Sequence, residues 1–420
     1  MATSTKTRQR KQNGHAASLT ATKQTITKSP KPSAPKATEG RLWNKLLGIL
    51  IAVIVLLYAP ISATYFLVGP QIGHVGDKYY YKPLISWNFA YGNGSGHPGY
   101  PGSNYEALKR NASAMMPHSV LGTVAIVLGL IQFLPVFQFR YPAIHRNLGR
   151  LYGLCAMVIS WSSASFLRDT IPKKDVFSGD VFALILSLLS FGNLVTMGLA
   201  VAMAWSGDIG SHREFMALNY SLMLSAPLLR VAWLILGITW GETKYIINLY
   251  SSYFAGPFLL TAPMFYLRRH YKRQANKTLM NIKLHLGITA ASAASLVYVI
   301  PLMAKPEMWA YRRTEYFWFT IPQFVFQAVA FTWLAAASMQ RGDDKANTAW
   351  RTYQNGLISA PIFAAPMYHF LRYVYNCPDE MMGLGVTVGA WTTGLVTSFV
   401  IYVLATSKFV NKPAAGKGLK

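Results

Sequence analysis

Three histidines and a group of arginines are the residues of this 420-residue chain whose types and spacing could do chemistry. His118 stands in Met116-Pro117-His118-Ser119. His145 opens His145-Arg146-Asn147-Leu148-Gly149-Arg150, and His212 opens His212-Arg213-Glu214-Phe215-Met216. Arg230 stands alone inside an apolar run, preceded by Ser221, Ser225 and Pro227. An arginine at mid-bilayer costs about 2.5–3.5 kcal/mol on insertion scales, so it needs a partner or a route to the headgroups. A snorkelling Arg230 would reach the outer headgroups. An inward Arg230 would hold backbone carbonyls, hydroxyls or a bound anion, and the small residues beside it favour that side. His118, placed near the same end of the bundle, is grouped with Arg230 as a ligand-binding residue.

His145 and His212 each open an apolar run from the same side of the bilayer. Two imidazoles facing each other across a bundle can ligate haem iron axially. Arg146, Arg150 and Arg213 would then pair with the propionates through charge-assisted hydrogen bonds. This makes haem b a candidate cofactor and redox or electron transfer a candidate function. The alternative is that the two His-Arg pairs cap helix ends and bind anionic lipid phosphate. Three histidines would suit zinc, but a core of about 30 Å separates His118 from the other two. No Gly-rich phosphate loop, nucleophile elbow or Ser/His/Asp order appears. No catalytic residue or metal ligand is therefore assigned, and the rival to the haem reading is a small-molecule carrier or binding bundle, or a scaffold without chemistry.

Taken together, His118, His145-Arg146-x-x-Gly149-Arg150, His212-Arg213-x-x-Met216 and Arg230 resemble a family of uncharacterised predicted integral membrane proteins, a domain of unknown function. In that family a helical His precedes a His-Arg-x-x-Gly-Arg motif, a His-Arg-x-Trp-Met motif and a later helical Arg. This chain carries Phe215 where the family has Trp. The resemblance covers roughly residues 115–265 and implies a common fold without an established activity.

The elements that must position these residues follow from composition. The chain is 52% hydrophobic and 13% charged, where soluble domains carry about 25% charged residues. Its formal charge of +25 does not mark a nucleic-acid protein, because the Lys and Arg lie between and outside apolar runs, not on one face of a soluble domain. A span needs about 20 mostly apolar residues. Ten runs qualify: 46–69, 115–138, 148–167, 181–205, 215–239, 246–267, 283–303, 316–338, 353–375 and 382–406. The ninth is interrupted by Gln354, Asn355, His369 and Arg372. The expected fold is an all-α polytopic transmembrane helix bundle.

With the N-terminus in the cytosol, the inner segments hold 27 Lys and Arg and the outer segments 11. Positive flanks stay inside, so both termini are expected in the cytosol, in a plasma membrane or endomembrane. The partners expected are the bilayer and anionic lipid headgroups on its cytosolic side, with no nucleic acid; a homo-oligomer is left open. The sequence divides into a basic tail (1–42) too polar to fold, a first span and outer loop (43–114), a core bundle carrying the His and Arg motifs (115–270), a second bundle (271–406) and a basic tail (407–420). The outer loop holds two glycosylation sequons, Asn93-Gly94-Ser95 and Asn111-Ala112-Ser113, and reads either as an irregular cover or as a lid. Cys155 and Cys377 are expected to be free thiols.

The second bundle echoes the core. Asn147-Leu148-Gly149 resembles His285-Leu286-Gly287, Gly207-Asp208 matches Gly342-Asp343, and Leu224-Ser225-Ala226-Pro227 resembles Ile358-Ser359-Ala360-Pro361. The near-constant offset predicts a degenerate parallel repeat of four helices. Gly149 with Gly153, and Gly385 with Gly389, predict close helix packing.

Overall fold

A computed structural model describes residues 37–64, 74–96, 105–252, 275–310 and 313–407, and every regular element among them is helical. The basic N-terminal segment 1–36, the C-terminal segment 408–420 and most of the expected sixth span lie outside the described residues. Leu46–Lys420 forms one compact unit and Met1–Lys45 another.

The long helices are α1 (Ala37–Thr64), α2 (Ala112–Gln132), α3 (Pro142–Lys173), α4 (Gly179–Trp205), α5 (Ile209–Met223), α6 (Ser225–Trp240), α7 (Ile282–Met303), α8 (Arg313–Gln340), α9 (Asp344–Ile358), α10 (Ala360–His369) and α11 (Asp379–Ala405). Six stretches among the described residues are long and apolar enough to cross a membrane: Lys45–Thr64, Ala112–Gln132, Gly179–Trp205, Ile282–Met303, Thr320–Gln340 and Asp379–Ala405. A seventh span is formed if α5 and α6, bent by 41° at their junction, are taken as one. The expected third and ninth runs are helical but fall short of the same standard. Charged residues at both ends of α3 dilute it, and α9 is polar before α10 begins. Trp161, Phe191, Val297, Trp318 and Trp333 all point outward. A soluble surface avoids large apolar patches of this kind, and lipid accepts them.

Local chemistry sets the breaks. Gly207 ends α4 at φ +77°, a conformation that costs glycine nothing. Asp208 then caps α5: its carboxylate accepts from the Ser211 amide at 3.1 Å and from the Ser211 hydroxyl at 2.6 Å. The α8–α9 turn repeats this geometry. Gly342 has φ +65°, and Asp343 accepts from the Ala346 amide at 3.1 Å. Both turns are followed by a helix of 15 residues, and both helices end in a short break, at Leu224 and at Ser359. Pro227 has no N–H to give Met223, which explains the bend between α5 and α6.

α2 packs on α3, α3 on α4, and α4 on α5; in the second half α8 packs on α9, and α7 and α11 pack on α10. α11 also meets α4. Gly385 and Gly389 allow that approach: a Cβ on Gly385 would come within 2.6 Å of Leu371 and 3.2 Å of Val181, and one on Gly389 within 3.1 Å of Leu184. These glycines therefore pack within the chain. The loop before α2 is not irregular where it is described. Short helices cover Asp77–Tyr81, Trp87–Tyr91 and Tyr105–Arg110, and Tyr81, Phe89, Ala90 and Ala107 join one core cluster with Val181, Leu184, Trp233 and Leu236. Cys155 and Cys377 are buried free thiols.

Candidate functional site

A cavity of about 650 Å³ lies inside the bundle, with walls from α1, α2, α3, α4, α6 and α11. His118 and Arg230 both line it. Most of the wall is apolar, including Phe166, Phe182, Ile185, Leu189 and Leu229. The bend between α5 and α6 brings Met223, Ser225 and Ala226 to the same wall.

Arg230 rests against Trp233, one helical turn further on, with Cζ 3.8 Å from the ring centroid. Among the described residues its guanidinium has no hydrogen-bonding or ion-pairing partner. The carbonyl or hydroxyl acceptors expected of an inward arginine are therefore missing, and an aromatic face takes their place. Trp233 is fixed in turn. Its indole N–H donates to Asn248 Oδ1 at 3.1 Å, and Asn248 Nδ2 donates to Ser178 Oγ at 2.9 Å.

The short helices Asp77–Tyr81 and Trp87–Tyr91 of the loop before α2, together called the cap, reach the same tryptophan. The Tyr81 ring lies 5.7 Å from Trp233, and the Lys244 ammonium lies 5.8 Å from the Tyr81 ring centroid. Lys244 donates to Asp77 Oδ1 at 2.7 Å and to the Ala90 carbonyl at 3.3 Å. Both charged groups are buried. Burial pushes the Lys244 ammonium below the usual lysine range, while Asp77 pulls it back up and Arg230 adds a smaller push down. Asp77 and Lys244 thus clasp the cap across 167 positions of sequence.

His118 places Nδ1 3.2 Å from the Ile159 carbonyl and 3.1 Å from Ser163 Oγ. A carbonyl only accepts, so Nδ1 carries a proton. Below it a polar network ties three helices together. Tyr152 OH donates to Asn219 Oδ1 at 2.6 Å, and Asn219 Nδ2 reaches Asn193 Oδ1 at 2.7 Å and Thr196 Oγ1 at 3.0 Å. Asn193 Nδ2 donates to Ser160 Oγ at 2.6 Å. Ser160, Asn193 and Thr196 line the cavity floor. Sequence reasoning missed these residues, Trp233 and the Asp77–Lys244 pair. The readable signal was the presence of amides and hydroxyls within the apolar runs, Ser160, Asn193 and Asn219 among them.

His145 and His212 stand apart from the cavity, at the starts of α3 and α5. They lie close enough for the His212 charge to act on His145. His212 Nδ1 donates to the Ala200 carbonyl at 2.9 Å, whereas His145 Nδ1 is buried and has no hydrogen-bond partner among the described residues. Burial lowers the His145 imidazole below its ordinary value, with His212 and Arg213 adding to the effect. Arg146 and Arg150 are exposed, and Arg150 donates to Asn147 at 3.3 Å. The structure thus separates the histidine-arginine cluster from the pair His118 and Arg230. Among the described residues no three His, Cys, Asp or Glu side chains come together to hold a metal.

Several apolar helices of spanning length define a multi-pass integral membrane protein. Residues 115–256, which include nearly all of α2 and the whole of α3 to α6, match the family model described as "Predicted membrane protein (DUF2306)", a family of unknown function. No curated protein matches the chain, and no solved structure does.

Proposed function

We propose that this membrane protein binds a small molecule in the cavity lined by Arg230 and His118, as a carrier or a binding bundle. The observation that carries the reading is the guanidinium of Arg230, on a cavity wall with no protein acceptor among the described residues. A cation in an apolar setting is retained where something compensates it, and a mostly apolar pocket of this size with a few convergent polar groups is the usual form of a ligand site. The test is mass spectrometry of small molecules released from the purified protein. A molecule enriched with wild type and lost from Arg230→Leu supports the reading. Identical extracts from both proteins would sink it.

In this reading the chain crosses the membrane ten times with both termini in the cytosol, and the cap Asp77–Tyr91 covers the cavity from the outer side. The exposed Arg140, Arg146 and Arg150 meet anionic headgroups on the inner side. The paired turns at Gly207-Asp208 and Gly342-Asp343 support a degenerate parallel repeat of four helices. Of the two sequons, Asn93 is exposed, whereas the Asn111 amide donates to Asp169 at 2.8 Å and to the Ala107 carbonyl at 2.9 Å. A glycan is therefore expected at Asn93, and its removal by an endoglycosidase checks the outer placement of the loop.

One observation keeps a second reading for the other end of the bundle. His212 has its Nδ1–H anchored on a carbonyl and His145 lies within its field, and an imidazole fixed in that way presents Nε2 as a ligand. His145 and His212 would hold haem b, with Arg146, Arg150 and Arg213 toward its propionates. Haem would supply one-electron transfer. A Soret band in purified protein, weakened in His145→Ala, supports this, and a colourless folded preparation from haem-replete cells rules it out.

A further inference from the structure

The charges around the cavity specify what it takes. Among the described residues the charged ones that line it are Asp77, Arg230 and Lys244. Asp77 and Lys244 neutralise each other at 2.7 Å, which leaves Arg230 as the uncompensated charge on the wall and asks for a single negative charge. One face of the guanidinium is covered by Trp233. The N–H edges remain, and these match a planar oxyanion with two acceptor atoms. Most of the remaining wall is apolar and asks for hydrocarbon: Phe166, Phe182, Ile185, Leu189 and Leu229 offer no hydrogen bond from their side chains, and the polar groups at the floor, Ser160, Asn193 and Thr196, are already bonded to neighbours. Volume sets the size. A cavity of about 650 Å³ equals the liquid volume of roughly twenty waters, room for one acyl chain or a small ring system, while a two-chain phospholipid has more than twice as many heavy atoms.

We propose that the cavity binds an amphiphilic monocarboxylate, its carboxylate on the edge of Arg230 and its apolar body between α4 and α6. This rests on the reading of the cavity as a ligand site and adds the chemical class of the ligand. Trp233 fixes the guanidinium before the ligand arrives, so recognition does not wait on ordering a flexible side chain. The charge of the head separates the classes: a carboxylate matches Arg230 one for one, whereas a phosphate monoester brings up to two charges and leaves one buried without a partner.

The experiment uses the full chain in nanodiscs of phosphatidylcholine, photolabelled with dodecanoate bearing a mid-chain diazirine and mapped by peptide mass spectrometry. Label is expected in α4 and α6. Unlabelled dodecanoate should compete about ten- to a hundredfold better than dodecanol, the range expected of a charge-assisted hydrogen-bonded pair, and better than dodecyl phosphate. Arg230→Leu should erase the advantage of dodecanoate over dodecanol, and Arg230→Lys should keep part of it, since the charge remains and the fork is lost. The wild-type competition ratio needs no variant to fold. If label enters α4 and α6 but dodecanol competes as well as dodecanoate, or dodecyl phosphate competes best, the carboxylate assignment is overturned while the ligand site stands. If no label reaches α4 or α6, both fall.

Discussion

Arg230 and Trp233 form one unit, with the guanidinium carbon 3.8 Å from the indole ring centroid. The pair faces the cavity and touches the cap, so the same tryptophan serves the site and its cover. Trp233→Phe keeps a ring under Arg230 but removes the N–H that Asn248 Oδ1 accepts at 3.1 Å. The buried acceptor left behind costs about 1–3 kcal/mol, and phenylalanine is the weaker cation–π partner. Reversible unfolding in mixed micelles measures the loss. A variant as stable as wild type means that the Asn248 bond does not hold the platform.

Asp77 and Lys244 provide the sharper stability test. Both are buried and lie 2.7 Å apart. Removing one charge strands the other, and breaking a buried pair costs about 3–5 kcal/mol. Asp77→Asn should destabilise the protein by that order and expose the cap to protease. Asp77→Asn combined with Lys244→Met should recover most of the loss, because no charge is then stranded. A double variant as unstable as the single one contradicts this account.

Asn219 joins Tyr152, Asn193 and Thr196, and each bond crosses between helices. Interhelical hydrogen bonds in membranes are worth about 0.6–2 kcal/mol each. Asn219→Leu should therefore lower stability by several kcal/mol, more than Ser221→Ala on the same helix, whose hydroxyl among the described residues bonds to the Ala217 carbonyl of its own helix. Equal losses in the two variants would show that the network adds nothing between helices.

His145 makes stability depend on pH. Its imidazole is held below the ordinary histidine value, first by burial and then by His212 and Arg213. Between the lowered value and the unfolded value of about 6.5, the unfolded chain binds more protons than the folded one. Stability is then complete above about 6.5 and falls as pH drops through that window. The melting temperature at about pH 5.5 relative to about pH 7.5 should fall further for wild type than for His145→Gln. The same pH dependence in both proteins disproves the assignment.

What the sequence made legible follows from periodicity and special residues. The apolar runs at 181–205, 283–303 and 382–406, and the described part of 46–69 as far as Thr64, form helices of spanning length because hydrocarbon leaves the backbone no other partner. Gly207-Asp208 and Gly342-Asp343 were readable as turns because glycine and aspartate each have one strong local use. The cavity was less legible. Arg230 signals a need for compensation, but that its neighbour would be an indole ring with a fixed N–H depends on Asn248 and Ser178, which come from other segments. The Asp77–Lys244 clasp joins two polar connections with no local pattern. Asn193 and Asn219 are two of several polar residues along their helices, and only the packing of α4 against α5 makes them a pair.

The composition of α3 has a consequence for how the protein is made. Between Arg150 and Arg168 the helix has an uncharged stretch of residues 151–167 that includes Ser160, Ser162 and Ser163. Alone in hydrocarbon, those side chains would lack the neighbours they have in the finished bundle: Ser160 Oγ accepts from Asn193 of α4, and Ser163 Oγ reaches His118 of α2. A ribosome delivers α3 before α4, so the segment arrives at the translocon without one of its companions. In the ten-span reading its partitioning into lipid is expected to be a joint event, in which α3 waits beside α2 and enters with α4. Chains truncated after α3 should leave it accessible to aqueous labels, and chains truncated after α4 should not.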